Sequence, residues 1–204
     1  MTQRIKAILF DFGNVLLEWN PRHVYRRYFP DDEAAMEQFF QEVNFMEWNA
    51  QQDKGRSFAE GIAVLSGEFP QYSHLIQAYQ DNWKDSIGGS LEGTVEIMKR
   101  LKLSGYSLYG LSNWSAETFP LVRDQFVFFE LLDDIILSGE VGQIKPHPEI
   151  YEIALKRIGR PAAECLFIDD ALANIEQARK MGFAVIHFQS PEQLEAELKA
   201  IKLL

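Results

Sequence analysis

Four short polar elements lie far apart in the chain, and each follows or interrupts an apolar run. Asp11 follows AILF, Ser112 follows LYGL, Lys145 lies in IKPHP, and the pair Asp169 and Asp170 follows CLFI. Short, continuous apolar runs are typical of strands that are buried on both faces of a parallel sheet. Ligands of open α/β sheets bind outside the carboxyl ends of such strands. We therefore expect a carboxylate, a hydroxyl, an ammonium and an acidic pair to meet at one edge of a sheet.

These residue types suit covalent chemistry on a phosphoryl group. A carboxylate such as Asp11 can act as a nucleophile and form an acyl phosphate, provided that cations neutralise the incoming group. The ammonium of Lys145 can supply one cation. Asp169 and Asp170 would repel Asp11 unless a divalent cation lay among them, and hard oxygen ligands suit Mg²⁺. Because side chains alternate along a strand, we expect only one of the two adjacent acids to be a direct ligand.

The periodicity of the chain predicts an α/β fold that would hold these residues. Strand-like runs, separated after the second by helix-like stretches, indicate a parallel sheet with right-handed crossovers. Helices are expected over 91–105 and 171–182, each ending at a glycine, and both should pack on the sheet. The strand-like runs are 7–11, 107–112, 134–138, 165–169 and 184–188.

The region between Leu17 and about Ser90 interrupts this alternation. It contains no convincing strand run, and its aromatic residues recur at helical spacing. Asn20-Pro21 and Asp31-Asp32 are helix-start signals for the first two helices. The sequence therefore predicts an inserted module of four amphipathic helices, in which MEWNAQQDKGR is a loop that could face the pocket. The four helices are HVYRRYF, MEQFFQEV, SFAEGIAVLSGEF and HLIQAYQDNW.

Composition limits the class of protein. The 204 residues, 47% hydrophobic and 25% charged, suit one globular core with an appended module. A net charge of −10 disfavours nucleic acid, whose phosphates are bound by clustered Lys and Arg. No run reaches the roughly 18 apolar residues of a membrane span, and the N-terminal segment lacks signal-peptide features. We expect a cytoplasmic protein with no membrane partner, in which the single cysteine, Cys165, is a buried core residue.

The order and spacing of the polar elements resemble the four motifs of the haloacid dehalogenase (HAD) superfamily. They are DFGNV at 11–15, LSN at 111–113, KP at 145–146 and IDDALAN at 168–174. The resemblance extends over the whole chain, because the helical insertion falls where that superfamily carries a cap of the first type. It implies an HAD-like Rossmannoid core, a three-layer parallel sheet formed by residues 1–17 and 90–204, with an α-helical cap of residues 18–89. Within the superfamily, the sequence is most similar in character to small bacterial sugar-phosphate phosphatases and to the phosphatase domain of soluble epoxide hydrolases.

The resemblance implies catalytic and metal-binding roles for four residues. Asp11 matches the nucleophile, which is also a metal ligand. Lys145 matches the cation that holds the phosphoryl oxygens and the nucleophile. Asp170 matches the acid that coordinates Mg²⁺, and the backbone carbonyl of Gly13 matches a further metal ligand.

Other motif residues match positions that bind the phosphate or support the site. Ser112 matches the hydroxyl that binds the transferring phosphoryl group, with Asn113 beside it. Asp169 would support the metal ligand, and Asn174 stands where many members carry a supporting acid. The substrate implied is a small phosphorylated metabolite, acted on by a monomer or a weak homodimer.

Residues near the insertion are candidates for substrate specificity. The polar and aromatic side chains that could face the pocket follow the first motif or lie in the loop predicted at MEWNAQQDKGR. The candidates are Trp19, Asn20, Trp48 and Asn49.

Gly13 is the main departure from the family pattern. Most superfamily phosphatases have at this position a second aspartate, which protonates the leaving oxygen and later activates water. A positioned acid or base contributes roughly 10² to 10⁴ in rate. Leaving groups more acidic than simple alcohols, such as an anomeric sugar oxygen or a phenol, should suffer least from its loss. An anomeric sugar phosphate is therefore our substrate hypothesis.

The sequence leaves three alternative functions open, two of them enzymatic. A 2-haloacid dehalogenase also uses an aspartate nucleophile, but it needs no divalent metal and has small polar residues where this chain has Asp169 and Asp170. A phosphoryl mutase relies on the acid that is missing at Gly13. A non-catalytic protein would bind a phosphorylated metabolite and turn it over slowly. We predict a Mg²⁺-dependent phosphomonoester hydrolase that acts through an aspartyl-phosphate on Asp11.

Overall fold

The computed structural model describes residues 5–204. Its strands are β1 (Ala7–Phe10), β2 (Leu17–Trp19), β3 (Ile87–Ser90), β4 (Ser107–Ser112), β5 (Asp134–Leu137), β6 (Cys165–Asp169) and β7 (Ala184–His187). Five of them form a parallel sheet in the order β5-β4-β1-β6-β7. The α/β fold is confirmed, and a strand lies in each of the five predicted runs. Because the strands are parallel, the carboxyl ends of β1, β4 and β6 share one edge.

The helices connect the strands or form the insertion. They are α1 (Arg22–Tyr25), α2 (Glu33–Glu42), α3 (Phe45–Asp53), α4 (Phe58–Glu68), α5 (Ser73–Asp81), α6 (Glu92–Leu103), α7 (Ser138–Val141), α8 (Pro148–Ile158), α9 (Leu172–Lys180) and α10 (Pro191–Ala200). Short 3₁₀ helices span Pro70–Tyr72, Trp83–Ser86, Phe119–Leu121, Arg123–Gln125, Val127–Leu131 and Ala162–Glu164. None of the described helices combines the length and the apolarity that crossing a bilayer requires.

The central strand shows why the core has three layers. All four side chains of β1 are fully buried, and they alternate between two apolar clusters. Ile8 and Phe10 belong to the cluster that contains residues of α6 and α10, whereas Ala7 and Leu9 belong to the cluster that contains residues of α8 and α9. A sheet covered on both faces needs apolar residues at every position. Cys165, at the start of β6, is buried as predicted.

The insertion contains one helix that the sequence analysis did not predict. Helix α3 occupies most of the segment MEWNAQQDKGR, which we expected to be a loop. Its inward face carries two buried polar residues, Asn49 and Gln52, beside Phe45 and Trp48. Polar side chains at core positions interrupt the apolar spacing by which a helix is recognised. Helix α1 is also shorter than the predicted HVYRRYF, since it ends at Tyr25.

A two-stranded antiparallel hairpin links the insertion to the core. β2 pairs with β3 in the region that we expected to contain no strand, with Leu17 opposite Ser90 and Glu18 opposite Gly89. The strands are short and β3 contains two glycines, which have low β propensity, so the sequence signal is weak. The proposed domain boundaries, between residues 17 and 18 and between 89 and 90, fall inside this hairpin. The division into core and cap stays a prediction.

Aromatic packing holds the inserted helices together. The ring of Phe45 lies 4.6 Å from that of Phe40, 4.9 Å from that of Tyr79 and 5.6 Å from that of Trp48, measured between centroids. Such pairs add about 0.5–1.5 kcal/mol each beyond the area that they bury. Since the rings come from α2, α3 and α5, they fix the position of α3 over the sheet edge.

Replacing Phe45 by alanine should therefore destabilise the protein. Removal of a buried phenylalanine costs about 3–5 kcal/mol, because the lost contacts and the remaining cavity add. Urea denaturation would measure the change, with Leu103→Ala, at a residue that is 87% exposed, as the control. A loss equal to that of the control would contradict the assigned packing.

Candidate active site

The nucleophile candidate follows the last residue of β1. The backbone N–H of Asp11 donates to the carbonyl of Ile168 at 2.9 Å, which ties the residue to the neighbouring strand β6. Its carboxylate Oδ1 accepts the backbone N–H of Phe12 at 2.7 Å and lies 2.9 Å from Lys145 Nζ. Both of these contacts engage Oδ1, which leaves Oδ2 to face a ligand.

Lys145 is a buried cation held by two carboxylates. Its side chain is 1% exposed, and Nζ lies 2.9 Å from Asp11 Oδ1 and 2.6 Å from Asp169 Oδ2. Burial disfavours the ammonium, but the charges of Asp11 and Asp169 outweigh that effect and raise the pKa of Lys145. The lysine therefore stays charged while it bridges the ends of β1 and β6.

Asn113 fixes the backbone of that lysine. Its Nδ2 donates to the carbonyl of Lys145 at 2.9 Å, and the backbone N–H of Lys145 donates to Asn113 Oδ1 at 2.8 Å. This reciprocal pair joins the segment after β4 to the loop that carries the lysine. Asn113 also lines the pocket. Binding of phosphate by Asn113 stays a prediction, whereas its contact with the lysine loop is direct.

The adjacent acids Asp169 and Asp170 have different surroundings. Asp169 is fully buried; its Oδ2 contacts Lys145, and its carboxylate accepts Asn174 Nδ2 at 2.9 and 3.1 Å and the backbone N–H of Ala171 at 2.8 Å. Asp170 instead lines the pocket. The structure thus places Asp169 and Asn174 in contact with each other and Asp170 at the cavity.

The charges at the site favour a divalent cation. Asp11, Asp169 and Asp170 each offer an oxygen within 4.8 Å of the others. The pKa of Asp11 is raised to about 7, chiefly by burial; Lys145 opposes this shift, and the charges of Asp169 and Asp170 contribute to it. Burial and the charge of Asp169 also raise the pKa of Asp170, whereas Lys145 lowers it. One lysine does not balance three carboxylates, so the donor set suits Mg²⁺, which prefers carboxylate and carbonyl oxygens.

The turn after β1 brings Gly13 to the cavity. Asn14, at φ 56°, donates its backbone N–H to the carbonyl of Leu17 at 2.7 Å, and its Oδ1 accepts the N–H of Trp19 at 3.2 Å. The carbonyl of Gly13 belongs to this same turn. The side of Gly13 that would carry a side chain is open, since a Cβ there would meet only Trp19 Cβ, at 3.8 Å.

These groups line one cavity of about 390 Å³ between the sheet edge and the insertion. Ser112, 2% exposed at the end of β4, lies on the core side together with Asp11, Gly13, Lys145 and Asp170. The volume is within the range of pockets that bind small molecules, about 300–1,000 Å³. The wall formed by the hairpin and the inserted helices consists of Leu17, Trp19, Met46, Asn49, Ala50, Asp53, Tyr79, Trp83 and Ile87.

The structure separates the four specificity candidates into two pairs. Trp19 and Asn49 line the cavity. Trp48 does not; its ring is buried in the insertion and Nε1 donates to the carbonyl of Gly61 at 2.9 Å. Asn20 also lies elsewhere, where its Oδ1 accepts the backbone N–H of Arg22 at the start of α1. The expectation that these two residues face the pocket is corrected, because both already serve the structure of the insertion.

Sequence reasoning missed Asp53, the last residue of α3. Its carboxylate Oδ2 accepts Asn49 Nδ2 at 2.9 Å, one helical turn away, and both side chains line the cavity. Burial raises the pKa of Asp53 to about 8; the backbone N–H of Ser115 opposes this shift, and the charge of Asp11 adds to it. The spacing of Asn49 and Asp53 would have signalled a shared face, had the segment been recognised as a helix.

Comparison with known proteins assigns the family. A model of haloacid dehalogenase-like hydrolases matches residues 5–182. The chain belongs to that family. The matched residues include Asp11, Ser112, Lys145 and Asp170, all of which meet at the cavity.

Relatives of this family member cover nearly its whole length. A sesquiterpene phosphatase of Aspergillus oryzae is 28% identical over 92% of this chain and 91% of its own. A D-ribitol-5-phosphate phosphatase of Bacteroides thetaiotaomicron is 23% identical over 97% of this chain and 98% of its own. The crystal structure of an HAD family enzyme from the same bacterium, complexed with magnesium and inorganic phosphate, superimposes with a TM-score of 0.68 at 22% identity, covering 91% of this chain and 95% of that one. That likeness shows the fold.

The raised pKa of Asp53 predicts a pH-dependent gain in stability for Asp53→Asn. Folding holds a proton on Asp53 up to about pH 8, whereas the carboxyl in the unfolded chain has its ordinary pKa of 3.8. Between these values the folded state binds more protons, so the contribution of Asp53 to stability falls as the pH rises. The neutral amide removes this loss. Without metal, we expect the melting temperature of Asp53→Asn minus that of the parent to increase between pH 4 and pH 8 by on the order of 10 °C.

Thermal unfolding in EDTA at both pH values would measure this effect. Asp124→Asn serves as the control, because the Asp124 side chain is 95% exposed. A difference between Asp53→Asn and the parent that stayed constant with pH would contradict the assigned protonation.

Proposed function

We propose that this family member is a Mg²⁺-dependent phosphomonoester hydrolase acting on a small phosphorylated metabolite through an aspartyl-phosphate. The observation that supports this most is the set of contacts at the sheet edge, where Lys145 holds Asp11 beside two further carboxylates. A nucleophile flanked by a fixed cation and a set of metal ligands is what phosphoryl transfer requires. The two relatives described above are both named as phosphatases.

Each residue at the sheet edge has a distinct task in this proposal. Asp11 attacks the phosphorus in line with the departing oxygen, and Lys145 neutralises charge on the phosphoryl oxygens. Ser112, at the end of β4, donates its hydroxyl to one of those oxygens. Asp11, Asp170 and the carbonyl of Gly13 would hold Mg²⁺, which supplies further charge neutralisation when bound. Water then attacks the aspartyl-phosphate, which releases phosphate and restores Asp11.

The acidic pair disfavours the dehalogenase alternative. Without a metal ion, Asp169 and Asp170 would repel the organic carboxylate of a haloacid, because like charges brought close together raise the energy of the bound state. Of this pair, Asp169 contacts Lys145, at 2.6 Å, whereas Asp170 lines the cavity. A phosphomonoester bound together with a divalent cation does not meet this repulsion. The non-catalytic alternative differs from our proposal in turnover, which the experiment below measures.

The wall of the cavity favours an apolar leaving group. On the side of the hairpin and the insertion, the polar side chains without an aromatic ring are Asn49 and Asp53; the remaining residues are aliphatic or aromatic. A sugar phosphate carries several hydroxyls, each of which needs a partner when it leaves water. An isoprenoid or aryl alcohol needs none and gains from the burial of its apolar area. We therefore favour a phosphomonoester of an apolar alcohol, with the anomeric sugar phosphate as the second candidate.

The expectations on partners and location are unchanged. We infer a small phosphorylated metabolite as the partner, with no role for nucleic acid or membrane. The monomeric or weakly dimeric state and the cytoplasmic location stay predictions from the sequence.

The proposed reaction predicts Mg²⁺-dependent phosphate release that requires Asp11. With 4-nitrophenyl phosphate as the substrate, Asp11→Asn should lower kcat on the order of 10³-fold or more, because it removes the nucleophile. EDTA should abolish release by the parent, and added Mg²⁺ should restore it. Asp124→Asn, an exposed carboxylate elsewhere, should behave as the parent does. Release that persists in both EDTA and Asp11→Asn would refute the mechanism.

The apolar wall predicts an order of substrates. Farnesyl monophosphate should have a kcat/KM at least roughly 10-fold above those of glucose 1-phosphate and ribitol 5-phosphate, because one buried methylene contributes about 0.8 kcal/mol. Met46→Asn, which places a polar group on the wall, should narrow this difference. Steady-state phosphate release from the three compounds would measure it, and a preference for either sugar phosphate would favour the second candidate.

A further inference from the structure

Gly13 leaves the proposed reaction without a side chain at the core position from which most superfamily phosphatases protonate the leaving oxygen. When Asp11 attacks, the departing alkoxide must be protonated unless it is stable by itself, and the later attack of water needs a proton acceptor. Asp11 is the nucleophile, and Asp169 is buried against Lys145, Asn174 and Ala171. A carboxyl group on the other wall of the cavity could supply this proton.

Asp53 is a carboxyl group on that wall. It lies at the carboxyl end of α3 and lines the same cavity as Asp11, yet it is outside the group of three carboxylates that suits a metal ion. A leaving group that extends from the phosphorus toward the apolar wall would enter the part of the cavity that Asp53 lines.

The position of Asp53 is fixed from both sides. In the insertion, Asn49 Nδ2 donates to its Oδ2 at 2.9 Å. On the core, the hydroxyl of Ser138 donates to its backbone carbonyl at 2.5 Å, and the N–H of Trp114 donates to that same hydroxyl at 2.8 Å. The end of α3 is thus attached to the segments that follow β4 and β5. These bonds hold Asp53 at the pocket.

We propose, in an inference that rests on the phosphatase function above, that the Asp53 carboxyl is the general acid and base that replaces the side chain missing at Gly13. In the first step, Asp11 Oδ2 forms a bond to phosphorus, the bond from phosphorus to the ester oxygen breaks, and the proton of Asp53 moves to that oxygen. In the second step, the Asp53 carboxylate takes a proton from water, whose oxygen attacks phosphorus. The bond to Asp11 breaks, phosphate leaves, and both carboxyl groups return to their initial states.

The surroundings of Asp53 keep the required proton in place. Burial raises its pKa to about 8, opposed by the N–H of Ser115 and supported by the charge of Asp11. The other ionisable groups around the cavity are Lys145 and Asp170 on the core side and Tyr79 on α5. Burial, and next the charge of Asp53, raise the pKa of Tyr79 well above its usual range, so its phenol holds the proton too tightly to exchange it in each cycle.

Leaving-group acidity separates this role from a structural one. We would measure kcat/KM and its pH dependence with benzyl, phenyl and 4-nitrophenyl phosphates in saturating Mg²⁺, for the parent and Asp53→Asn. A poor leaving group needs the proton, whereas 4-nitrophenolate does not. The variant should lose roughly 10² to 10⁴ with benzyl phosphate and less than about 10-fold with 4-nitrophenyl phosphate. The fall in the parent's rate at alkaline pH should disappear in the variant.

Two further variants complete the test. Glu47→Gln, on the exposed face of the same helix, should keep parental rates with all three esters. Gly13→Asp, introduced together with Asp53→Asn, should restore benzyl phosphate turnover, because the space at Gly13 admits a side chain. Melting temperatures would establish that each variant is folded.

The outcomes distinguish failure of this inference from failure of the proposed function. Equal losses with all three esters, or no loss with any of them, would overturn the role of Asp53 while leaving the phosphatase intact. Absence of phosphate release by the parent from all three would overturn the function, and the role of Asp53 with it.

Discussion

The position of one buried ammonium organises this protein. Lys145 lies between Asp11 and Asp169, and a buried cation is tolerated only where paired carboxylates offset the loss of its hydration. This pairing requires that the strands ending at the two acids be neighbours, and β1 and β6 are adjacent in the sheet. Asn113, after β4 on the other side of β1, holds the backbone of the lysine. Three strands are thus fixed around one charge, and the remaining negative charge creates the demand for a divalent cation.

The insertion completes the site and adds a largely apolar wall to it. Its aromatic core positions α3, and α3 places Asn49 and Asp53 above the acidic edge of the sheet. The cavity is consequently polar on the side of the sheet and largely apolar on the side of the insertion. A charged phosphoryl group matches the side of the sheet, whereas an apolar alcohol matches the side of the insertion. Burial under this apolar wall is also what raises the pKa of the Asp53 carboxyl, so the same packing bears on both specificity and proton transfer.

The sequence predicted the core well and the insertion less well, for a physical reason. Each core strand is buried on both faces, so that its residues form a continuous apolar run ending at a polar residue. In the insertion, buried Asn49 and Gln52 hide the periodicity of α3, and glycines weaken the signal of β3. Trp48 and Asn20 were assigned to the pocket by proximity along the chain. The hydrogen bond of Trp48 to Gly61 joins α3 to α4 and depends on how these helices pack, which local spacing does not encode. The bond of Asn20 to Arg22 is local and belongs to the helix-start signal at Asn20-Pro21, so there the sequence carried two possible roles and the structure uses the capping one.

The sequence by itself determined the family, the parallel sheet and the acids, hydroxyl and lysine at its edge, because strand periodicity and short motifs are local properties. It also showed that Gly13 carries no acid. Only the tertiary structure decided that Asn113 binds the lysine backbone and that Asp53, on a helix distant in sequence, lines the same cavity as Asp11. These relations depend on side-chain direction and on helix packing across long separations in the chain, and a pattern of residue types specifies neither.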